Sequence, residues 1–300
     1  MLKVAWSPIY KHPLPEGHRF PMEKYDLLPR QLLHEGTLDE ANFFNPRKLT
    51  DKEIVAVHNT LYWKKLQSLD FTRQEERRSG FPISKGLVDR EVTINAGTIQ
   101  CADFALAYGI AMNIAGGTHH AFTDRAEGFC LLNDIAIASQ YLLDQKKVDQ
   151  ILVVDLDVHQ GNGTAEIFKD EPRVFTFSMH GAHNYPLHKE KSDLDIPLKD
   201  GTEDTTYLNT LEKTLDRLIE TINPDFIFFQ SGVDVLKTDK LGRLGLTIEG
   251  CKYRDEIVIT KAKNRKIPLV ASMGGGYSED IKIILEAHAN TYRVAQEIHF

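Results

Sequence analysis

The alternation of short β-branched or aromatic runs with long helical patterns constrains this chain more than any other feature of its sequence. Strand, helix, strand in regular succession is the signature of a mostly parallel sheet covered by helices. The expected strands are Val4–Ser7, Ala111–Ile114, Ile151–Asp157, Val174–Ser178, Phe226–Ser231 and Leu269–Met273. Ile151-Leu-Val-Val and Phe226-Ile-Phe-Phe are continuously apolar, as strands buried on both faces are. Helices are expected at Asp204–Ile222, where leucines and isoleucines recur every three or four residues, and at Thr247–Lys263 and Glu279–Glu297. Weaker helical patterns cover Asn133–Gln145, Ala102–Tyr108 and Thr50–Leu69, while Arg73 to Asn95 is charged, lacks a period and is expected to be a long loop. No linker, repeat or low-complexity segment interrupts the pattern, so residues 1–300 are expected to form one α/β domain with helices on both faces of the sheet.

Composition narrows the functions open to such a domain. The 36 Lys and Arg against 43 Asp and Glu leave a formal charge of −7 at pH 7, the wrong sign for gripping nucleic acid through its phosphates. No run approaches the roughly 18 apolar residues of a membrane span. The first twenty residues, MLKVAWSPIYKHPLPEGHRF, lack an apolar signal core, so a cytoplasmic protein without a membrane partner is expected. Cys101, Cys130 and Cys251 form no CxxC pair, so any metal must be held by His and carboxylates.

In an open parallel sheet, ligands bind beyond the carboxyl ends of the strands. Those ends are polar here: Gly116-Gly-Thr-His119-His120, Asp155-Leu-Asp157-Val-His159-Gln-Gly-Asn162-Gly, Ser231-Gly-Val-Asp234 and Gly274-Gly-Gly-Tyr277. Asp155, Asp157 and His159 occupy alternate positions, and side chains at such positions of a strand share one face, so two carboxylates and an imidazole are expected to converge. Asp, His and a second Asp, Asp234, suit Zn²⁺ or Fe²⁺ better than Ca²⁺ and leave a coordination position open. Asp157 and His159 could instead be turn and cap residues. His119 and His120 read either as surface histidines or as a proton donor and acceptor beside a metal, with Asp155 orienting one imidazole. Tyr277, behind three glycines, is a core aromatic or a hydroxyl facing the same rim.

Taken together, GGTHHAFTDRAEGFCLLND, DLDVHQGNG, SGVDVLKTDKLG and MGGGY resemble the zinc-dependent histone deacetylase superfamily, in order and over nearly the whole chain. Gln160 and Asn162, with Asp200-Gly-Thr-Glu-Asp204 and the stretch from Asp234 to Gly242, resemble its class IV. The resemblance implies an arginase/deacetylase-like fold and hydrolysis of an acyl-lysine amide. It implies Asp157, His159 and Asp234 as ligands of zinc, or of Fe²⁺ in the cell. His120 would be the general base, paired with Asn162; His119 would be its cationic neighbour, backed by Asp155. Tyr277 would polarise the carbonyl and stabilise the oxyanion. Gly128, Phe129 and Tyr185 would wall the substrate channel, Leu241 would form part of its rim, and Arg19 with Gly274, Gly275 and Gly276 would line its interior. A structural potassium ion would involve backbone oxygens of Asp155, Asp157, His159 and Met179 with the Ser178 side chain. Asn162 in place of a carboxylate should make His120 less basic, and Asp89 is the candidate for a rim carboxylate that holds the substrate backbone. The implied substrate is an acyl-lysine peptide or protein, with acetyl and longer fatty-acyl groups both open. The runner-up is a small acylated amine such as an acetylpolyamine, which acids clustered at the mouth would favour, and a non-catalytic acyl-lysine binder is a third reading.

Overall fold

The computed structural model describes residues 1–300. Eight strands, β1 (Lys3–Ala5), β2 (Phe43–Phe44), β3 (Ile110–Asn113), β4 (Ile151–Asp155), β5 (Val174–Gly181), β6 (Leu194–Leu198), β7 (Phe226–Gln230) and β8 (Leu269–Ser272), form one sheet in the order β2-β1-β3-β8-β7-β4-β5-β6. Every pairing is parallel. β4 and β7 are buried along their whole length, as their unbroken apolar sequences require. The four strands whose carboxyl ends carry His, Asp and Tyr are therefore neighbours at the centre of the sheet, β3-β8-β7-β4. Adjacent parallel strands lie roughly 4.8 Å apart, so their loops converge without long excursions.

Ten helices cover the sheet: α1 (Lys24–His34), α2 (Asp51–Val55), α3 (Thr60–Ser68), α4 (Arg73–Ser79), α5 (Lys85–Tyr108), α6 (Asp134–Asp144), α7 (Asn162–Phe168), α8 (Asp204–Ile222), α9 (Ile248–Asn264) and α10 (Ile281–His299). One packed group is α1, α8, α9 and α10; another is α5 with α6 and α3. Buried apolar residues from Leu2 to Ala295 form a single cluster, so one core serves the whole chain. No helix is long and apolar enough to cross a membrane.

The expected Arg73–Asn95 loop is instead α4 and the first half of α5, and the expected Ala102–Tyr108 helix is the end of that same α5. The period was hidden because α5 is buried nearly all round, from Leu87 to Ile99, with Arg90 and Glu91 paired to each other inside. Side-chain caps give its start and that of α4: Thr72 accepts from Glu75 N–H and Ser84 from Leu87 N–H. Thr50–Leu69 is two helices, α2 and α3, each begun by its own capping residue, Thr50 and Asn59. β2, β6 and α1, with Pro29 inside it, were not expected.

Arg254 and Asp255 on α9 are fully buried and paired at 2.7 Å. The Arg254 guanidinium donates to the carbonyls of Leu156 (3.3 Å), Ser231 (3.2 Å) and Gly232 (2.5 Å), and Asp255 accepts from Thr291 Oγ1 at 2.7 Å. One side chain thus ties the loop after β4 to the loop after β7 from below. Removing one member of a buried ion pair typically costs about 3–5 kcal/mol. Arg254→Met is expected to destabilise the fold by about that amount in chemical denaturation; a loss within experimental error would show that the clamp contributes nothing.

Candidate active site

β4 ends at Asp155, so Asp157 and His159 sit on the loop beyond it and not on an alternating strand face. Carboxylates shape that loop in place of the sheet ladder: Asp155 Oδ1 accepts from Asp157 N–H at 3.2 Å, and Asp157 Oδ1 from His159 N–H at 3.0 Å. Asp234 reaches across from the loop after β7, where its Oδ1 accepts from Val158 N–H at 2.9 Å. Asp157 Oδ2 accepts from Gly275 N–H at 2.9 Å. A Cβ on Gly275 would lie 2.0 Å from Asp234 Oδ2 and 2.8 Å from Asp157 Oδ2, so only glycine leaves this space open.

Donor atoms of Asp157, His159 and Asp234 all lie within 4.8 Å of one another, and all three residues are buried. His159 Nδ1 is 3.0 Å from Asp157 Oδ1 and 3.1 Å from Asp234 Oδ2. Apart from this contact with the His159 ring, Asp234 Oδ2 is buried with no hydrogen-bond donor of its own, a costly state that a cation would relieve. Burial, and then the Asp157 charge, push Asp234 up to about 7. For His159 burial works the other way, but its bonds to Asp157 and Asp234 prevail and hold it at about 10. Two oxygen donors and one imidazole around an orphaned carboxylate oxygen fit a zinc-type ion.

The two histidines after β3 lie with ring centroids 4.0 Å apart, tilted by 45°, but have different partners. His119 Nδ1–H donates to Asp155 Oδ2 at 2.7 Å. Burial alone would lower its pKa, but Asp155 and then Asp157 outweigh burial and raise it above the ordinary imidazole value. His120 Nδ1 is 2.6 Å from Asn162 Oδ1, while Asn162 Nδ2 donates to Glu127 Oε1 at 3.1 Å. An amide oxygen only accepts, so the His120 proton sits on Nδ1 and Nε2 keeps its lone pair. Burial, then the neighbouring charges of His119 and His159, hold His120 well below the usual imidazole range. Gly128, at φ 53°, packs against this ring; a Cβ there would lie 2.6 Å from His120 Cδ2.

An outer channel of about 390 Å³ leads to these groups. It is lined by Gly128, Phe129, Tyr185 and Leu241, with His120, His159 and Tyr277 at its base. Phe129 packs between Phe20 (centroids 5.1 Å) and Phe81 (5.3 Å). The Tyr185 hydroxyl donates to Glu127, and Asn184 Nδ2 donates to the Leu241 carbonyl at 2.7 Å. Tyr277 lines this channel and a smaller inner space of about 40 Å³, together with Gly274 and Gly275. Burial, and then the charges of Asp234 and Asp157, raise its phenol well above the ordinary value, so it stays protonated and able to donate. Gly276 does not line either space; a Cβ on it would meet Val233 at 2.6 Å.

Two further expectations are corrected. Arg19 is exposed in the outer channel, with its guanidinium 5.0 Å above the Phe129 ring. The interior cation is Lys24 on α1: fully buried, its Nζ donates to the Gly274 carbonyl at 3.1 Å, and burial lowers its pKa to about 8 against the pull of Asp234 and Asp157. Asp89 is not a rim carboxylate; it pairs with Lys48 at 2.7 Å and lies outside the channel lining. Asp134 was missed as a support. From the start of α6 it accepts from Thr118 N–H (2.8 Å), Thr98 Oγ1 (2.7 Å) and Ser272 Oγ (3.1 Å), and so holds the loop that presents His119 and His120. Glu127, Lys24 and Asp134 carry no periodic signal, and only GGTHHAFTDRAEGFCLLND, which contains two of them, could have drawn attention to them.

Because a cation must displace the His159 proton, held up to about 10, and below about 7 that of Asp234 as well, zinc affinity is expected to fall as pH drops, more steeply below about 7, and binding to release protons. Calorimetry in buffers of different ionisation enthalpy measures that release. Asp157→Ala and Asp234→Ala should each lose the metal by elemental analysis, whereas His183→Ala, at an exposed histidine, should retain it. Full zinc content in both aspartate variants would rule the site out.

Residues 18–292 match the histone deacetylase domain. The chain is 40% identical over 296 residues to an uncharacterised protein of Picosynechococcus, covering 99% of both. It is 29% identical to histone deacetylase 2 of Arabidopsis thaliana, covering 92% of this chain and 74% of that one. Among solved structures, an HDAC homologue complexed with SAHA superposes with a TM-score of 0.85 at 26% identity, over 99% of this chain and 84% of that one. An HDAC homologue from Aquifex aeolicus gives 0.83 at 25%, over 98% and 84%. The domain match takes in every strand but β1, and the chain belongs to the histone deacetylase family, hydrolases with deacetylase activity for which zinc is the expected metal.

Proposed function

We propose that this protein hydrolyses the amide of an acetylated, or similarly short-chain acylated, primary amine, with a lysine ε-amino group as the natural fit to the channel. One observation carries the reading: His120, His159 and Tyr277 line both the outer channel and the small inner space, so an amide threaded down the channel would lie among all three. The inner space of about 40 Å³ favours a small acyl group such as acetyl over a fatty chain. Lys24 adds a cation beside that space, suited to the carboxylate of the released acid. The presence of the three ligands and of Tyr277 speaks against a non-catalytic binder.

Zinc held by Asp157, His159 and Asp234 would polarise the carbonyl and acidify a water molecule. His120, neutral with Nε2 free, takes the proton from the attacking water. His119, kept cationic by Asp155, stabilises the charge that develops and returns a proton to the leaving amine. Tyr277 donates to the carbonyl oxygen as it becomes an oxyanion. Acid and base are thus two adjacent imidazoles whose surroundings push their pKa values apart. Within the family, Gln160 and Asn162 support a place nearest class IV. The same reading includes a cytoplasmic location and a potassium ion at the Asp155–His159 loop, where the β4–β5 register sets Asp155 opposite Ser178.

The test is hydrolysis of fluorogenic acyl-lysine peptides from acetyl to myristoyl by zinc-loaded protein. Acetyl should be removed fastest, and Tyr277→Phe should keep its zinc but lose about 10²–10³ in kcat. Preference for myristoyl, or full activity in the variant, would overturn the reading. A second test is the pH profile. Asn162→Asp places an anion against His120, stabilises its imidazolium and raises its pKa, so the acidic limb of kcat/KM should move to higher pH by at least about one unit. An unmoved limb would show that His120 is not the base.

A further inference from the structure

The outer channel carries a charge pattern that the catalytic chemistry does not use. Arg19, Arg77 and Arg78 line it, all exposed, and no carboxylate is among its lining residues. The nearby acids are committed elsewhere. Glu127 accepts from Tyr185, Asn162 and Arg125; Glu76 accepts from Ile83 N–H at 3.1 Å; Glu75 pairs with Lys65 at 2.5 Å. The arginines are also positioned. Arg19 is held over the Phe129 ring, and the backbone around Arg77 and Arg78 is tied to the channel wall, with Gly128 N–H donating to Arg78 O at 3.0 Å and Phe129 N–H to Ser79 O at 2.7 Å. Basic residues in the last turn of a helix can simply answer its dipole, but α4 has only seven residues and that explanation leaves out Arg19, on a different segment. Three guanidiniums at one mouth also run against the chain's net charge of −7.

We propose that this mouth selects acylated amines carrying a carboxylate on the amine side of the scissile bond. The inference rests on the deacylase reading, in which the acyl group lies inward and the rest of the substrate faces the mouth. Guanidinium binds carboxylate in a bidentate fork, and three such groups with no competing anion make the entrance an anion site. A polyamine would bring further ammonium groups into the same space and be repelled. The carboxylate has two sources, the α-carboxylate of a small acetyl-lysine derivative or acidic side chains flanking acetyl-lysine in a peptide.

Two matched pairs separate them: Nα-capped acetyl-lysine with a free carboxylate or a carboxamide, and acetyl-lysine peptides flanked by Asp and Glu or by Lys and Arg, with acetylputrescine alongside. For the zinc-loaded protein, kcat/KM of the anionic member is expected to exceed that of its partner by about fivefold in at least one pair. That pair identifies the source. The ratio should fall toward one in Arg77→Gln/Arg78→Gln, in Arg19→Gln, and in about 0.5 M salt, where exposed charges are screened. Ratios near one in both pairs, ratios unmoved by the substitutions, or acetylputrescine as the best substrate would overturn the proposal. If no compound turns over, the deacylase reading fails by itself. Calorimetric binding of the same pairs then decides the mouth's selectivity, and equal affinities for anionic and non-anionic members would end it.

Discussion

Two buried carboxylates, Asp157 and Asp234, are held against a single imidazole, and most of the architecture around them serves to make that tolerable. Uncompensated, such a pair would take up protons or unfold the site. Backbone N–H groups of Val158, His159 and Gly275 bond the carboxylates, and the absence of a side chain at Gly275 keeps the space between them clear. Arg254, its charge met by Asp255, grips the carbonyls of both loops from beneath. What is left over, an Asp234 oxygen whose one polar contact is the His159 ring and a histidine that holds its proton up to about 10, is the electrostatic signature of a place for a divalent cation.

Above that group, two chemically identical imidazoles are made different by one atom of their partners. Asp155 offers His119 a charge, and Asn162 offers His120 only a dipole. The first therefore keeps its proton to a higher pH than the second. Their loop owes its shape to Asp134, and the ring of His120 owes its fit to Gly128, so the division of labour depends on residues that take no part in the chemistry.

The central strands were legible because burial on both faces writes a continuous apolar run, and the catalytic residues because they follow those runs at the carboxyl edge. Asp204–Ile222 was legible for the opposite reason: it is amphipathic, and its period is plain. α5 was not, because a helix buried on all sides has no polar face to set a phase. The convergence of Asp157 and His159 was expected for the wrong reason, since a carboxylate-bonded loop, not a strand face, brings them together. Lys24 could not have been preferred to Arg19 from sequence, because which of two nearby cations enters the core depends on how α1 packs on α10 and on the Gly274 carbonyl. The basic mouth was hidden likewise: Arg19 and Arg77 are far apart in the chain and meet only through the Phe129 wall.

The account stands or falls on the cation lying between those two carboxylates. Anomalous diffraction at the zinc edge from crystals of the zinc-loaded protein locates it directly. A single strong peak enclosed by Asp157, His159 and Asp234, with Tyr277 facing it across the base of the channel, is the predicted result; a peak on His119 and His120, or none at the trio, would contradict it.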